Sequence, residues 1–146
     1  MAMSSLDDLY RRVIMDHYQN PRNKGQLEND GSVTINLNNP TCGDRIQLQM
    51  KVDNGIIQDV KFTGEGCSIS MSSASMMTQA IKGATLEEAL KLADIFSALM
   101  KGEEIEEDDL DLGDIEALQG VAKFPARIKC ATLAWKALQQ GASEVK

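Results

Sequence analysis

Apolar residues in the first segment, SLDDLYRRVIMDHYQNPRN, fall at Leu6, Leu9, Val13, Ile14 and His17 or Tyr18, the three- and four-residue steps of one helical face. Ser5 reads as an N-cap, and Pro21 stops the helix near residue 19. The period then changes to two. Val33, Ile35 and Leu37 alternate with polar residues, as do Ile46, Leu48, Met50 and Val52; a third extended run, IIQDVKFTG, follows the hairpin signal Asp53-Asn54-Gly55. The pattern predicts three antiparallel strands in a meander with one apolar face.

After GEGC the helical period returns. Met71, Ala74, Met77 or Thr78, and Ile81 share one side of a predicted helix closed by Gly83. A second opens with Thr85 and Glu88 in capping-box spacing, ends at Gly102, and is expected to bury Leu86, Leu90, Ala93, Phe96 and Leu99 or Met100. In the last, FPARIKCATLAWKALQQG, Pro125 sits in the first turn and Ile128, Ala131, Trp135 and Leu138 form the stripe. The acidic stretch between these two helices is expected to carry at most a short helix. One small antiparallel sheet covered by helices makes the fold class α+β, in a single domain over residues 1–146.

Composition adds few restrictions. A chain of 146 residues can bury a core without staples, and 4% aromatics with eight methionines imply a core of aliphatic side chains and Met. No apolar run approaches membrane-spanning length, and the N-terminus lacks the order of a secretory signal, so a cytoplasmic address and reduced thiols are expected. Three cysteines with no Cys-x-x-Cys argue against a disulfide framework. The net charge is −7, yet nine of the 22 acidic residues lie in 103–116, leaving 13 acids against 15 bases elsewhere. That block reads as a hydrated loop, or as a docking surface for a basic patch. Neither nucleic acid nor membrane is expected among the partners.

The chemistry therefore rests on Cys42, Cys67 and Cys130. In a meander, the end of the first strand, the start of the second and the end of the third share one sheet edge, so Cys42, Asp44 and Cys67 converge by topology. Cys130 lies about 100° around its helix from Ala131 and about 200° from Ile128, on a flank that packing on the sheet could bring to the same edge. Three thiolates and one carboxylate suit tetrahedral zinc and leave the centre with a formal charge of roughly −2. Three separately buried cysteines and a turn aspartate remain the other reading, because the spacing is uninformative: 22 residues separate Asp44 from Cys67 and 62 separate Cys67 from Cys130. His17, the only histidine, reads as a surface or capping residue. GEGCSIS could form an anion nest at a helix N-terminus, but lacks the lysine of a phosphate loop.

Five segments, DHYQNPRNKG, NNPTCGDRI, FTGEGCSISMSSASMM, LGDIEALQGV and KFPARIKCATLAWKAL, together resemble the SufU branch of the IscU-like iron-sulfur assembly proteins over nearly the whole chain. The resemblance implies a SufE/NifU (IscU)-like fold with a SufU-type acidic insertion at about 84–120. It also implies zinc (Zn2+) on Cys42, Asp44, Cys67 and Cys130. The implied activity is zinc-dependent transfer of persulfide sulfur from the cysteine desulfurase SufS, a pyridoxal phosphate enzyme, toward downstream iron-sulfur assembly machinery. In that family picture a desulfurase histidine takes the place of Cys42 on zinc, freeing Cys42 as acceptor. Cys42 sits on a loop, whereas Cys67 and Cys130 are tied to helices. Arg127, one turn before Cys130, could pair with Asp44 or lie in a surface ion pair. IscU-type scaffolds carry a histidine before the last cysteine and a Leu-Pro-Pro-Val-Lys motif; here Lys129 and VAKFPARIKC stand in those places. A cluster scaffold and a zinc-stabilised interaction module are the alternative functions.

Overall fold

The computed structural model describes residues 2–27, 33–39, 43–101, 118, 121 and 125–144, of which 2–10 and 126 are described as backbone. Four helices and three strands follow in the order α1 (Ala2–Gln19), β1 (Val33–Asn39), β2 (Asp44–Asp53), β3 (Ile56–Glu65), α2 (Ser68–Ile81), α3 (Leu86–Met100) and α4 (Pro125–Glu144). The predicted α+β class and the meander are both present: the sheet order is β1-β2-β3, antiparallel throughout. α1 begins before Ser5, which lies within the helix. The short helix expected in the acidic block falls outside the described residues.

Local chemistry sets the sheet. Asn54 and Gly55 both take positive φ, 53° and 78°, the two-residue turn whose twist matches antiparallel strands. Past that turn the register shifts between Lys51 and Val52, so that Ile57 and Val60, three residues apart, both face inward. On β2 the inward set has strict period two: Asp44, Ile46, Leu48 and Met50 are all buried, alternating at the site end with exposed Arg45 and half-buried Gln47. Asp44 thus belongs to the same face as the core.

That face is covered by α4, which contacts β1 and β2, and by α2, which contacts β3; α1 packs on α2, and α3 on α4. Helices with neighbours on several sides need apolar or small residues all round, and α2 buries every residue from Ser70 to Thr78. Ser72, Ser73 and Ser75 find partners in the neighbouring helices and loops. Ser72 Oγ donates to the Ile14 carbonyl at 2.6 Å, and Ser75 Oγ accepts from the Arg22 N–H at 2.8 Å while sharing a 2.7 Å hydrogen bond with His17 Nδ1. The Arg22 segment continues along β3, where the Phe62 N–H donates to the Asn23 carbonyl and the Phe62 carbonyl accepts from the Gly25 N–H, a strand-like pairing.

Two sequence expectations are corrected here. His17 is fully buried, not a surface residue, because the same helical face that holds Val13 and Ile14 lies on α2 and Ser75 satisfies its ring. On α3 the inward face is Ala89, Leu92, Ala93, Phe96, Leu99 and Met100; Leu90 is 37% exposed, because the helix is rotated from the predicted stripe. Its capping box is as expected, with Thr85 Oγ1 accepting from Glu88 N at 3.1 Å and Glu88 accepting from Thr85 N at 3.2 Å. Phe96 stacks on Trp135 at 4.7 Å between ring centroids, joining α3 to α4. No helix among the described residues is long and apolar enough to cross a membrane.

Replacing His17 removes both a buried ring and the hydrogen bond to Ser75. His17→Ala is expected to lower unfolding free energy by about 2–4 kcal/mol, measured as a reduced urea midpoint with unchanged slope.

Candidate metal centre

The site end of the sheet is built by pairing. Asn39 opposes Asp44 across the β1–β2 connection, and Gly43, at φ 72°, donates to the Asn39 carbonyl at 2.8 Å. Arg45 opposes Glu65, so β3 ends beside the start of β2 and delivers Cys67 two residues later. Cys67 is the N-cap of α2, and its Sγ accepts from the Ser70 N–H at 3.5 Å. The nest suggested by GEGCSIS is thus occupied by the protein's own sulfur.

Asp44 is 0% exposed. Its Oδ1 accepts from the Cys67 N–H at 3.0 Å, which locks the carboxylate to the helix start. Its Oδ2 has no hydrogen-bond partner among the described residues. Cys130, also fully buried, comes to the same place from α4: ligand atoms of Asp44, Cys67 and Cys130 all lie within 4.8 Å of one another. The flank position assigned to Cys130 from the helical wheel thus faces the sheet edge. Cys42, the fourth expected member, lies outside the described residues.

This cluster fits a divalent metal on its own evidence. An ionised carboxylate oxygen buried without a partner is costly and calls for a cation or a hydrogen-bond donor. Tetrahedral zinc with bonds of about 2.0–2.3 Å sets its donors roughly 3.3–3.8 Å apart, a spacing the three groups can adopt, and two sulfurs with one oxygen suit a borderline-soft ion. Arg127 does not complete the cluster. It is exposed on α4 and makes no ion pair with Asp44; the nearby charge pair is Arg45 with Glu65, at 2.9 Å and open to solvent. An open cleft of about 310 Å³ at this end of the sheet is lined by Asn38, Asn39, Gly43, Asp44 and Arg45.

Residues 9–131 match the family described as NifU-like N terminal domain. The chain belongs to that family. It is 67% identical over 141 residues to a Bacillus subtilis protein named zinc-dependent sulfurtransferase SufU, covering 97% of this chain and 94% of that one. A Streptococcus pyogenes protein named iron-sulfur cluster assembly scaffold protein IscU is 53% identical over 140 residues, covering 96% of this chain and 86% of its own. Among solved structures, the SUF-system protein FiSufU of Fervidobacterium islandicum AW-1 superposes with a TM-score of 0.81 at 36% identity, covering 89% of this chain and 93% of that one. Membership of the NifU-like family agrees with the resemblance drawn from the sequence motifs.

Gly66 was not singled out by the sequence, although it immediately precedes Cys67. A Cβ at this position would run into Asp44 Oδ1 and crowd its Cγ at 3.0 Å. Gly66 is absent from the glycines of positive φ, so alanine suits the backbone and acts only on the carboxylate. Gly66→Ala is expected to weaken zinc binding roughly 10- to 100-fold, the usual cost of disturbing a residue that orients a ligand, with helical circular dichroism unchanged. Competition with a chromophoric chelator measures it.

Proposed function

We propose that this chain is a zinc-dependent sulfur-transfer protein of iron-sulfur cluster biogenesis. It holds zinc with Cys42, Asp44, Cys67 and Cys130, and accepts sulfur on Cys42 from the persulfide of a SufS-type cysteine desulfurase. The observation that carries the reading is the meeting of Asp44, Cys67 and Cys130 within 4.8 Å around an unpartnered buried carboxylate oxygen. A relative 67% identical and named a zinc-dependent sulfurtransferase supports it.

The roles divide by how each residue is held. Cys67 is fixed by its amide's bond to Asp44 and by the Ser70 amide, and Cys130 is buried on α4, so both suit permanent ligation. In sequence, Cys42 belongs to the connection between Asn39 and Gly43 and to neither helix. Zinc, when bound, would keep the coordinating thiols deprotonated at neutral pH. The Cys42 thiolate attacks the outer sulfur of the donor persulfide: a new S–S bond forms on Cys42, the donor's S–S bond breaks, and the donor cysteine leaves as thiolate. The persulfide proton stays with the transferred sulfur or passes to solvent, and no net oxidation occurs. The cleft at Asn38, Asn39, Gly43 and Arg45 offers the donor a route of approach.

With Cys42→Ala, alanine production by the desulfurase is expected to fall roughly tenfold or more, toward the rate of the desulfurase alone. Undiminished turnover removes Cys42 from the acceptor role, and loss of folding without a specific turnover effect supports a zinc-stabilised module instead. Mass spectrometry after mixing with persulfide-loaded desulfurase should find the extra sulfur on Cys42; a label confined to Cys130 overturns the assignment.

The scaffold reading has its own support in the 53% identical Streptococcus pyogenes relative named as a scaffold. Protein prepared without oxygen separates the two readings. Sulfur transfer predicts about one tightly bound zinc per chain and no iron or sulfide, whereas bound iron and acid-labile sulfide would establish scaffolding.

A further inference from the structure

Cys67 and Cys130 belong to different helices, so the distance between their sulfurs depends on how α2 docks on α4. One hydroxyl governs that contact. Ser73, fully buried on α2, donates from Oγ to the Ala131 carbonyl at 2.6 Å and accepts from Trp135 Nε1 at 3.0 Å. Its orientation is forced: an indole N–H can only donate and a carbonyl can only accept, so the hydroxyl has a single arrangement that satisfies both. Ala131 is the residue after Cys130, and Ser73 lies six positions along the helix that Cys67 caps. These side-chain hydrogen bonds join the two helices. The indole is itself held by stacking on Phe96 of α3.

The residues around the tie reinforce its role. Ser70, Ser73 and Ala74 on α2, and Ala131 and Ala134 on α4, are small and buried, which permits close approach of the two helices. Apolar contact between small side chains resists sliding only weakly. A hydrogen bond to a carbonyl beside Cys130 fixes both the axial position and the rotation of α4 at the turn where its sulfur must meet Cys67 and Asp44.

We infer that Ser73 is a positioning residue for the metal centre, setting the separation of the Cys67 and Cys130 sulfurs through its hydrogen bond to the Ala131 carbonyl. The inference rests on the ligand set proposed above. It concerns the docking of two helices, so it predicts effects on thiol spacing even without zinc.

The test compares the full-length double variant Ser73→Ala/Trp135→Phe with Trp135→Phe alone. Trp135→Phe removes the indole donor and keeps an aromatic ring against Phe96, and the double variant differs from it only in the Ser73 hydroxyl, with no indole N–H left stranded. Chelator competition should show zinc binding near wild type for Trp135→Phe and roughly 10- to 100-fold weaker for the double variant. In a Cys42→Ser background without metal, phenylarsine oxide, which bridges two thiols a few ångström apart, should bind the double variant more weakly than Trp135→Phe. Equal zinc affinity and equal arsenical binding in the two proteins overturn the inference. A wild-type chain that binds no zinc while the arsenical difference persists ends the functional proposal and leaves the helix tie established. Should the double variant lose helical far-ultraviolet dichroism, Ser73→Ala alone, which retains the Phe96 stack, makes the same comparison against wild type.

Discussion

A carboxylate buried inside the face of a sheet organises this molecule's working end. Asp44 occupies an inward position in the same period-two series as Ile46, Leu48 and Met50, where an apolar residue would be expected. One of its oxygens is satisfied by the Cys67 amide, and the other finds no partner among the described residues. Desolvation makes that arrangement expensive unless a cation or a donor is nearby, and two cysteine sulfurs lie within 4.8 Å of the carboxylate. Placing the acid there gives the end of the sheet a carboxylate that could hold a metal, and the helices that close the core deliver two sulfurs beside it.

Both helices do so by different means. α2 starts at Cys67, so its N-terminal amides and the orientation of its dipole act on the sulfur directly. α4 presents Cys130 from its interior and has no such polar end to offer; its placement is a matter of helix packing and of the serine and indole hydrogen bonds that connect it to α2. The connection at residues 40–42 completes the set in sequence. Two sulfurs on rigid elements and one on a connection are a sound division for a protein proposed to keep a metal while exchanging sulfur.

The same fold serves relatives named for sulfur transfer and relatives named for cluster scaffolding, which is reason to argue function from the donor set and not from topology. Here the chain presents two sulfurs and a carboxylate in described positions, with Lys129 beside Cys130 on the exposed side of α4. An ammonium at neutral pH offers no lone pair to a metal.

Features governed by neighbours in sequence were legible without coordinates. The Asn54-Gly55 turn, the Thr85–Glu88 capping box, the three alternating strands and the Pro125 helix start each follow from a few adjacent residues whose backbone preferences agree. The meander itself followed, because short connections leave antiparallel neighbours little choice, and with it came the approach of Asp44 to Cys67. Tertiary packing decided the rest. Leu90 points outward and His17 inward because helix rotation is chosen by the partner surface, and a single sequence contains only half of that contact. For the same reason the helical wheel could place Cys130 on a flank but not at the metal centre: its distance from Cys67 depends on the docking of two helices far apart in the chain, through contacts that no local pattern encodes.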